Sequence, residues 1–288
     1  MKEISYHRAD GVADAVTLAA QFGERGMFLA GGQSVVTDMR TRQFDDDREV
    51  IDIGRLSDLS YIEVRDDAVG IGALTTHADL LDADSLTECL PALPAMVEQV
   101  ADVQVRNMGT VGGVVARAKP RTDYPVFTEA AGATFEVATA SGTRTVPAAA
   151  FFVDEFETAL GTAELLTELT FPIPPNTAAL GFDKFAKRSH DFPIVNVAAY
   201  VDCEDGVCTT VRIRVGGLTG TPATATAAEA HVQGRDLDAV NAGQVGELAR
   251  EDVASTMTDT MGMEHELGLV ESLVRDVVGD CIDECAGP

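Results

Sequence analysis

RNMGTVGGVVARAKPRTD, Arg106 to Asp123, is the stretch on which the reading of this chain turns. Gly109, Gly112 and Gly113 surround Thr110, a short β-branched run follows, and Arg117, Lys119 and Arg121 lead to Asp123. Glycines so closely spaced let the backbone turn tightly and approach a ligand without a Cβ in the way. The N–H groups of such a turn make a concavity suited to phosphate oxygens. A second stretch of the same kind lies upstream, Leu29-Ala30-Gly31-Gly32-Gln33-Ser34, again after an apolar run. Either alone is an ordinary turn; the pair predicts one extended diphosphate ligand held between them.

The charge balance sharpens that expectation. The chain has 288 residues, with 47 Asp plus Glu against 21 Lys plus Arg and a formal charge of −26. Its lysines are Lys2, Lys119, Lys184 and Lys187. A protein so acidic repels nucleic acid and anionic membrane, and it strains its own compact state unless counterions screen it. The expectation is a cytoplasmic protein of a high-salt, haloarchaeal type of cell, with no nucleic-acid partner. In that background, cations gathered beside the central turn (Arg106, Arg117, Lys119, Arg121) and again at Lys184, Lys187 and Arg188 suit an anionic cofactor. Each taken singly is also explained by ion pairing to the many carboxylates. Met1-Lys2-Glu3 opens no secretory signal, and no apolar run is long enough to span a membrane.

Elementary patterning divides the chain into three parts. Residues 1–55 read as strand, helix, strand, turn, strand, with Ser34 able to cap a short helix whose first N–H groups face an anion. Residues 56–175 read as a hairpin about Asp66-Asp67, a helix opened by Thr75 or Thr76 at His77, and an apolar region interrupted by Pro91 and Pro94. A helix from Met96 to the neighbourhood of Arg106 follows, then the central turn, a helix Tyr124–Ala131, a second hairpin and a strand Glu164–Phe171. Pro172-Ile173-Pro174-Pro175-Asn176 is the strongest boundary signal, an extended linker. Residues 176–288 read as a three-stranded antiparallel sheet packed on helices, the last from Met263 to Cys285.

Catalytic patterns are missing. The five histidines are scattered, no GxSxG elbow occurs, and no catalytic residue is assigned. The usual GxGxxG of a dinucleotide-binding Rossmann domain is absent. Cys89, Cys203, Cys208, Cys281 and Cys285 have no CxxC spacing and form no framework for zinc or an iron–sulfur cluster, so no metal site is expected. Cys203 and Cys208 flank Glu204-Asp205-Gly206 as free thiols facing across a hairpin. Whatever chemistry this chain serves belongs to a bound cofactor.

At this point the residues carry a family resemblance. Ala30-Gly31-Gly32-Gln33-Ser34, Ile71-Gly72-Ala73-Leu74-Thr75-Thr76-His77 and Val105-Arg106-Asn107-Met108-Gly109-Thr110-Val111-Gly112-Gly113 with Asp123 resemble the FAD-binding medium subunit of molybdenum hydroxylases. The relatives are the carbon monoxide dehydrogenase medium subunit and the xanthine dehydrogenase flavin domain. Leu166-Thr167-Glu168-Leu169 and Phe182-Asp183-Lys184-Phe185-Ala186-Lys187-Arg188 match in order as well. The resemblance implies an α+β protein: a PCMH-type (vanillyl-alcohol oxidase-like) FAD fold of two α/β subdomains followed by a C-terminal α+β domain. It implies that Ala30, Gly31, Gly32, Gln33, Ser34, Thr110, Gly112 and Gly113 cradle the pyrophosphate and that Asp123 binds the ribose or ribityl side. Thr76 and His77 then lie near the flavin, with Lys187 near its ring. It further implies a large molybdopterin-binding subunit and a small [2Fe-2S] subunit as partners, assembled as a dimer of heterotrimers. FAD would relay electrons from the iron–sulfur clusters to a terminal acceptor.

Three departures qualify the match. Val114 stands where the family commonly has Asn, and Ala118-Lys119-Pro120 where it commonly has a small residue, Asp and Pro. Lost amide contacts weaken a buried ligand site; Lys119 either compensates as a point charge on the pyrophosphate or marks weakened FAD binding. Glu264-His265 also replaces an aromatic–Arg pair. The competing readings are a stand-alone flavin oxidoreductase of the same fold and a flavin-free structural subunit.

The charge yields a direct test. Raising KCl from about 0.1 M to about 3 M shrinks the screening length from about 10 Å to under about 3 Å. The unfolding midpoint should climb steeply over that range, and a flat response would remove the high-salt reading.

Overall fold

The computed structural model describes residues 4–41, 47–257 and 259–286. Three main sheets succeed one another along the described residues, with a small two-stranded one besides. The first is parallel: β1 (Ile4–Arg8), α1 (Val12–Phe22), β2 (Gly26–Leu29), α2 (Val35–Thr41) and β3 (Arg48–Asp52), in the order β1-β3-β2. Ala15, Val16 and Ala19 of α1 are buried, and the helix lies between this sheet and Ala138 and Leu165 of the next.

The second unit begins with β4 (Ile62–Val64) and β5 (Ala68–Gly72), continues through α3 (His77–Leu81), α4 (Asp84–Cys89), α5 (Ala92–Glu98), α6 (Val103–Arg106), α7 (Val111–Arg117) and α8 (Asp123–Ala131), and returns to strand. Its later strands are β6 (Thr134–Thr139), β7 (Gly142–Pro147), the small pair β8 (Phe152–Asp154) and β9 (Glu157–Thr158), and β10 (Leu165–Pro172). The five-stranded sheet β4-β5-β10-β6-β7 is antiparallel at every pairing, so this subdomain is mixed but not the parallel α/β kind. The six helices are one long insertion between β5 and β6, and they cover the face that carries Val69, Ile71, Phe135, Val137, Leu169 and Phe171.

Two local expectations are corrected here. Pro91 and Pro94 do not interrupt a helix: Pro91 precedes α5 and Pro94 is its third residue, where no intrahelical N–H is required. The helix expected from Met96 to Arg106 is instead broken at residues 99–102. Ala101 takes φ 45°, and Asp102 caps a fresh start by accepting from Val105 N at 2.8 Å. Arg106 Nη1 donates to the carbonyls of Val100 and Ala101 at 2.9 and 2.7 Å, and that holds the break.

The third unit holds β11 (Ala178–Ala186), β12 (Pro193–Glu204), β13 (Val207–Gly216), β14 (Ala223–Thr224), α9 (Thr226–Val232), α10 (Ala242–Thr256) and α11 (Glu264–Ala286). Its sheet has four strands, β11-β12-β13-β14, not the expected three. Ala223 and Thr224 pair with Val215 and Arg214 as the added edge strand, and α9 starts only at Thr226.

Alternation along β12 assigns its two faces. Val195, Val197, Ala199 and Val201 face the C-terminal helices, whereas Asn196 and Ala198 face α8. Every residue of α8 is buried, because the helix is packed between the second and third units. Charged groups stitch it in place: Arg214 Nε lies 3.2 Å from Glu129 Oε2, and Arg212 Nε donates to Ala130 O at 2.7 Å. Burial pushes the Glu129 carboxyl up to about 7, opposed by Arg214. Cys203, Cys208 and Cys281 are core residues, and Cys89 and Cys285 are partly buried. Cys203 and Cys208 face each other with sulfurs 3.7 Å apart, and Cys281 and Cys285 point at the Ala199 and Val201 carbonyls.

On the other face of the second sheet, Arg65 grips Glu168 with two bonds of 2.8 and 2.6 Å, and Tyr61 and Thr170 donate to the same carboxylate. The Arg65 bonds hold Glu168 down from the ordinary 4.5 to about 2. A carboxyl lowered on folding stabilises fully above about pH 4.5, and that contribution fades as pH falls toward about 2. Glu168→Gln should cost about 2 kcal/mol at neutral pH and flatten the acid limb of a stability-versus-pH curve. An unaltered acid limb would contradict this assignment.

Candidate functional site

The two glycine turns meet. A Cβ on Gly31 would lie 1.8 Å from the Met108 carbonyl oxygen and 3.1 Å from Gly109 Cα, so only glycine lets the first turn rest on the second. Gly32 follows with φ 74°, which turns the chain into α2. The next support comes from β5 and its exit. Gly112 lies against Ala73, where a Cβ would be 2.5 Å from the Ala73 side chain. Thr76 and Thr110 form an antiparallel bridge, and His77 N donates to Gly109 O at 3.1 Å. AGGQS, GALTTH and RNMGTVGG are therefore one contiguous structure.

Their hydrogen bonding is unequal. In the second turn the amides of Val111, Gly112 and Gly113 donate to Thr75 O, Ala73 O and Thr110 Oγ1 at 3.0, 2.9 and 3.2 Å. In the first, the amides of Gly31, Gly32, Gln33, Ser34 and Val35 find no protein acceptor among the described residues. Five successive partly exposed donors on a bend fit an anion with several oxygens, such as a pyrophosphate. The second turn contributes shape, and the first contributes donors.

His77 is 4% exposed, and its Nδ1 lies 2.8 Å from the Tyr124 hydroxyl. Burial, assisted by Arg106, drives the imidazole down to about 4, and burial raises the Tyr124 phenol well above its ordinary value. The phenol therefore stays protonated and the imidazole neutral, and the two share one buried hydrogen bond whose direction follows the His77 tautomer. His77 is a neutral wedge beneath Gly109. Thr76 caps α3 in a reciprocal box with Asp79.

The remaining expected residues separate into two groups. Asp123 is buried, 2.7 Å from Lys184 Nζ and 3.1 Å from Asn196 Nδ2. Burial raises its carboxyl, and Lys184 and Asn196 oppose that rise. Lys119 is exposed, with Nζ 4.1 Å from the centre of the Phe192 ring. Lys187 is exposed on the connection after β11. Of the cations Lys184, Lys187 and Arg188, the buried one is Lys184. Phe182 packs on Phe127, so two residues on, Lys184 must share that inward face, and its register partner is Asn196. Lys184 also borders a cavity of about 260 Å³ with Gln99, Phe185, Arg188, Ser189 and His190. Val114, the departure from the family pattern, packs against the core of the second unit.

A paired glycine bend with free amides, set on this three-sheet frame, defines a flavin-binding subunit. The chain belongs to the family described as the FAD binding domain in molybdopterin dehydrogenase, matched over residues 2–174, and the CO dehydrogenase flavoprotein C-terminal domain is matched over 181–278. FAD is the cofactor of that family. Among particular relatives, it is 32% identical to the glyceraldehyde dehydrogenase medium chain of Sulfolobus acidocaldarius over 82% of this chain and 83% of the relative. It is 33% identical to the carbon monoxide dehydrogenase medium chain of Afipia carboxidovorans over 81% of each. Among solved structures, carbon monoxide dehydrogenase from Hydrogenophaga pseudoflava superposes with a TM-score of 0.90 at 28% identity, over 98% of both chains.

Gly31→Ala forces the two turns apart. FAD titration by flavin fluorescence should show a dissociation constant raised about tenfold or more, the scale of one lost charged-acceptor hydrogen bond. Gly11→Ala, where a Cβ meets nothing within 4 Å, should leave it unchanged. Equal constants for the two variants would contradict the geometry.

Proposed function

We propose that this chain is the FAD-carrying electron-transfer subunit of a cytoplasmic molybdenum hydroxylase. Its partners are a large molybdopterin-binding subunit, where substrate is oxidised, and a small [2Fe-2S] subunit, in a dimer of heterotrimers. The reading rests on one observation: five adjacent amides, Gly31 to Val35, presented at a bend with no acceptor among the described residues. FAD, when bound, supplies a carrier able to exchange electrons with an iron–sulfur partner and with a terminal acceptor.

The tasks left to the protein are binding and orientation. The 31–35 amides would hold the pyrophosphate oxygens, while Gly112 and Gly113 shape the wall opposite. Thr76 and His77 brace that wall through the Thr110 bridge and the Gly109 carbonyl. Asp123 fixes Lys184 at the edge of the 260 Å³ cavity, and we assign the ring-side cation to Lys184 in place of Lys187. Lys119, stationed on Phe192, would supply charge at the mouth. No described helix is long and apolar enough to cross a membrane. The relatives' substrates, glyceraldehyde and carbon monoxide, span an aldehyde and an inorganic gas. In such an assembly substrate choice belongs to the molybdenum subunit.

Purification from native extract in molar KCl tests the proposal. The chain should emerge with the two-banded near-ultraviolet and blue absorption of oxidised flavin, together with one large molybdopterin protein and one small iron–sulfur protein. A colourless chain that takes up no added FAD would overturn it; a yellow chain without partners would leave a stand-alone flavoprotein.

A further inference from the structure

Helix α2 carries the proposed cradle and yet is weakly anchored. None of its residues is buried, and Val36 is 37% exposed. Among the described residues, two contacts tie it to the second unit. At its start, Gly31 lies on the Met108 carbonyl. One turn further along, Asp38 Oδ2 meets Arg117 Nη2 at 2.8 Å, a contact between residues 79 apart in sequence.

Arg117 is itself prepared for this contact. It is the last residue of α7, the helix that leaves the second glycine turn, and Ala118 ends that helix in the left-handed region at φ 42°. Phe156 N donates to the Ala118 carbonyl at 2.8 Å, and Phe156, at φ 59°, places its ring 4.7 Å from the Arg117 guanidinium. Two non-glycine residues held at positive φ are a local cost that the surrounding structure maintains. The result is a guanidinium supported on one side by an aromatic face and aimed on the other at α2. Asp38 is only 15% exposed in its side chain, so the pair is partly shielded from solvent.

We propose that Arg117 and Asp38 form a latch that positions the FAD cradle: Arg117 is a positioning residue, holding α2 so that the 31–35 amides stand opposite the second turn. The assignment rests on the cofactor reading given above. The latch also resolves a conflict. A carboxylate at position 38, one turn from a phosphate site, would repel the ligand unless neutralised, and Arg117 neutralises it while holding the helix.

These two roles separate experimentally. In the full chain, FAD dissociation constants are measured in molar KCl for wild type, Arg117→Ala, Asp38→Asn and the double variant, with unfolding midpoints of the flavin-free proteins. A latch predicts that both single changes raise the constant about fivefold, that the double variant is no worse than the poorer single, and that flavin-free midpoints stay within about 2 °C, as for partly exposed ion pairs. Arg117→Lys should recover part of the loss. If Asp38→Asn leaves the constant unchanged or lowers it, position 38 acts only through its charge and the latch is overturned, with the cofactor reading intact. Single effects that multiply in the double variant overturn it too. A wild type that takes up no FAD overturns both the latch and the reading beneath it.

Discussion

The structure depends on a backbone contact. Gly31 rests on the carbonyl of Met108, and no residue with a Cβ could stand there. This contact joins a parallel three-stranded sheet to an antiparallel five-stranded one and brings two distant turns to a single place. The remaining features around the site either protect the contact or exploit it. Gly112 lets the second turn sink onto Ala73, His77 wedges Gly109 from below, and Arg117 ties α2 to α7.

The chemistry follows from how donors are distributed. The second turn spends its amides inside the protein and is rigid for that reason. The first turn leaves five amides without partners among the described residues, and a buried or half-buried donor without a partner is costly unless water or a ligand meets it. An anionic cofactor therefore completes a fold that is otherwise underbonded at one bend. In a chain of net charge −26, that bend and the few nearby cations are the places where a diphosphate could approach without strong repulsion.

Much of this was legible in the amino-acid order, for identifiable reasons. The glycine turns, the cap at Thr76 and the hairpins are written in residue types with narrow conformational preferences. Composition groups Lys184 with Lys187 and Arg188, and strand parity from Phe182 singles out Lys184 as the inward-facing one. The break at Ala101 and the strand at Ala223-Thr224 were hidden because capping and ladder formation overrode apolar periodicity and an Ala/Thr composition. The Arg117–Asp38 pair was out of reach altogether, since nothing local links residues so far apart. Which amides are spent and which are free was likewise invisible, because both turns look alike until their acceptors are known.

That last distinction offers the most direct test. Amide hydrogen exchange on the full chain, with and without saturating FAD, reads each turn separately. Slowed exchange at Gly31 to Val35 on adding FAD, with Val111 to Gly113 already slow and little changed, is the predicted result. Protection confined to Val111 to Gly113, with the first turn still exchanging freely in the flavin-bound protein, would contradict the account.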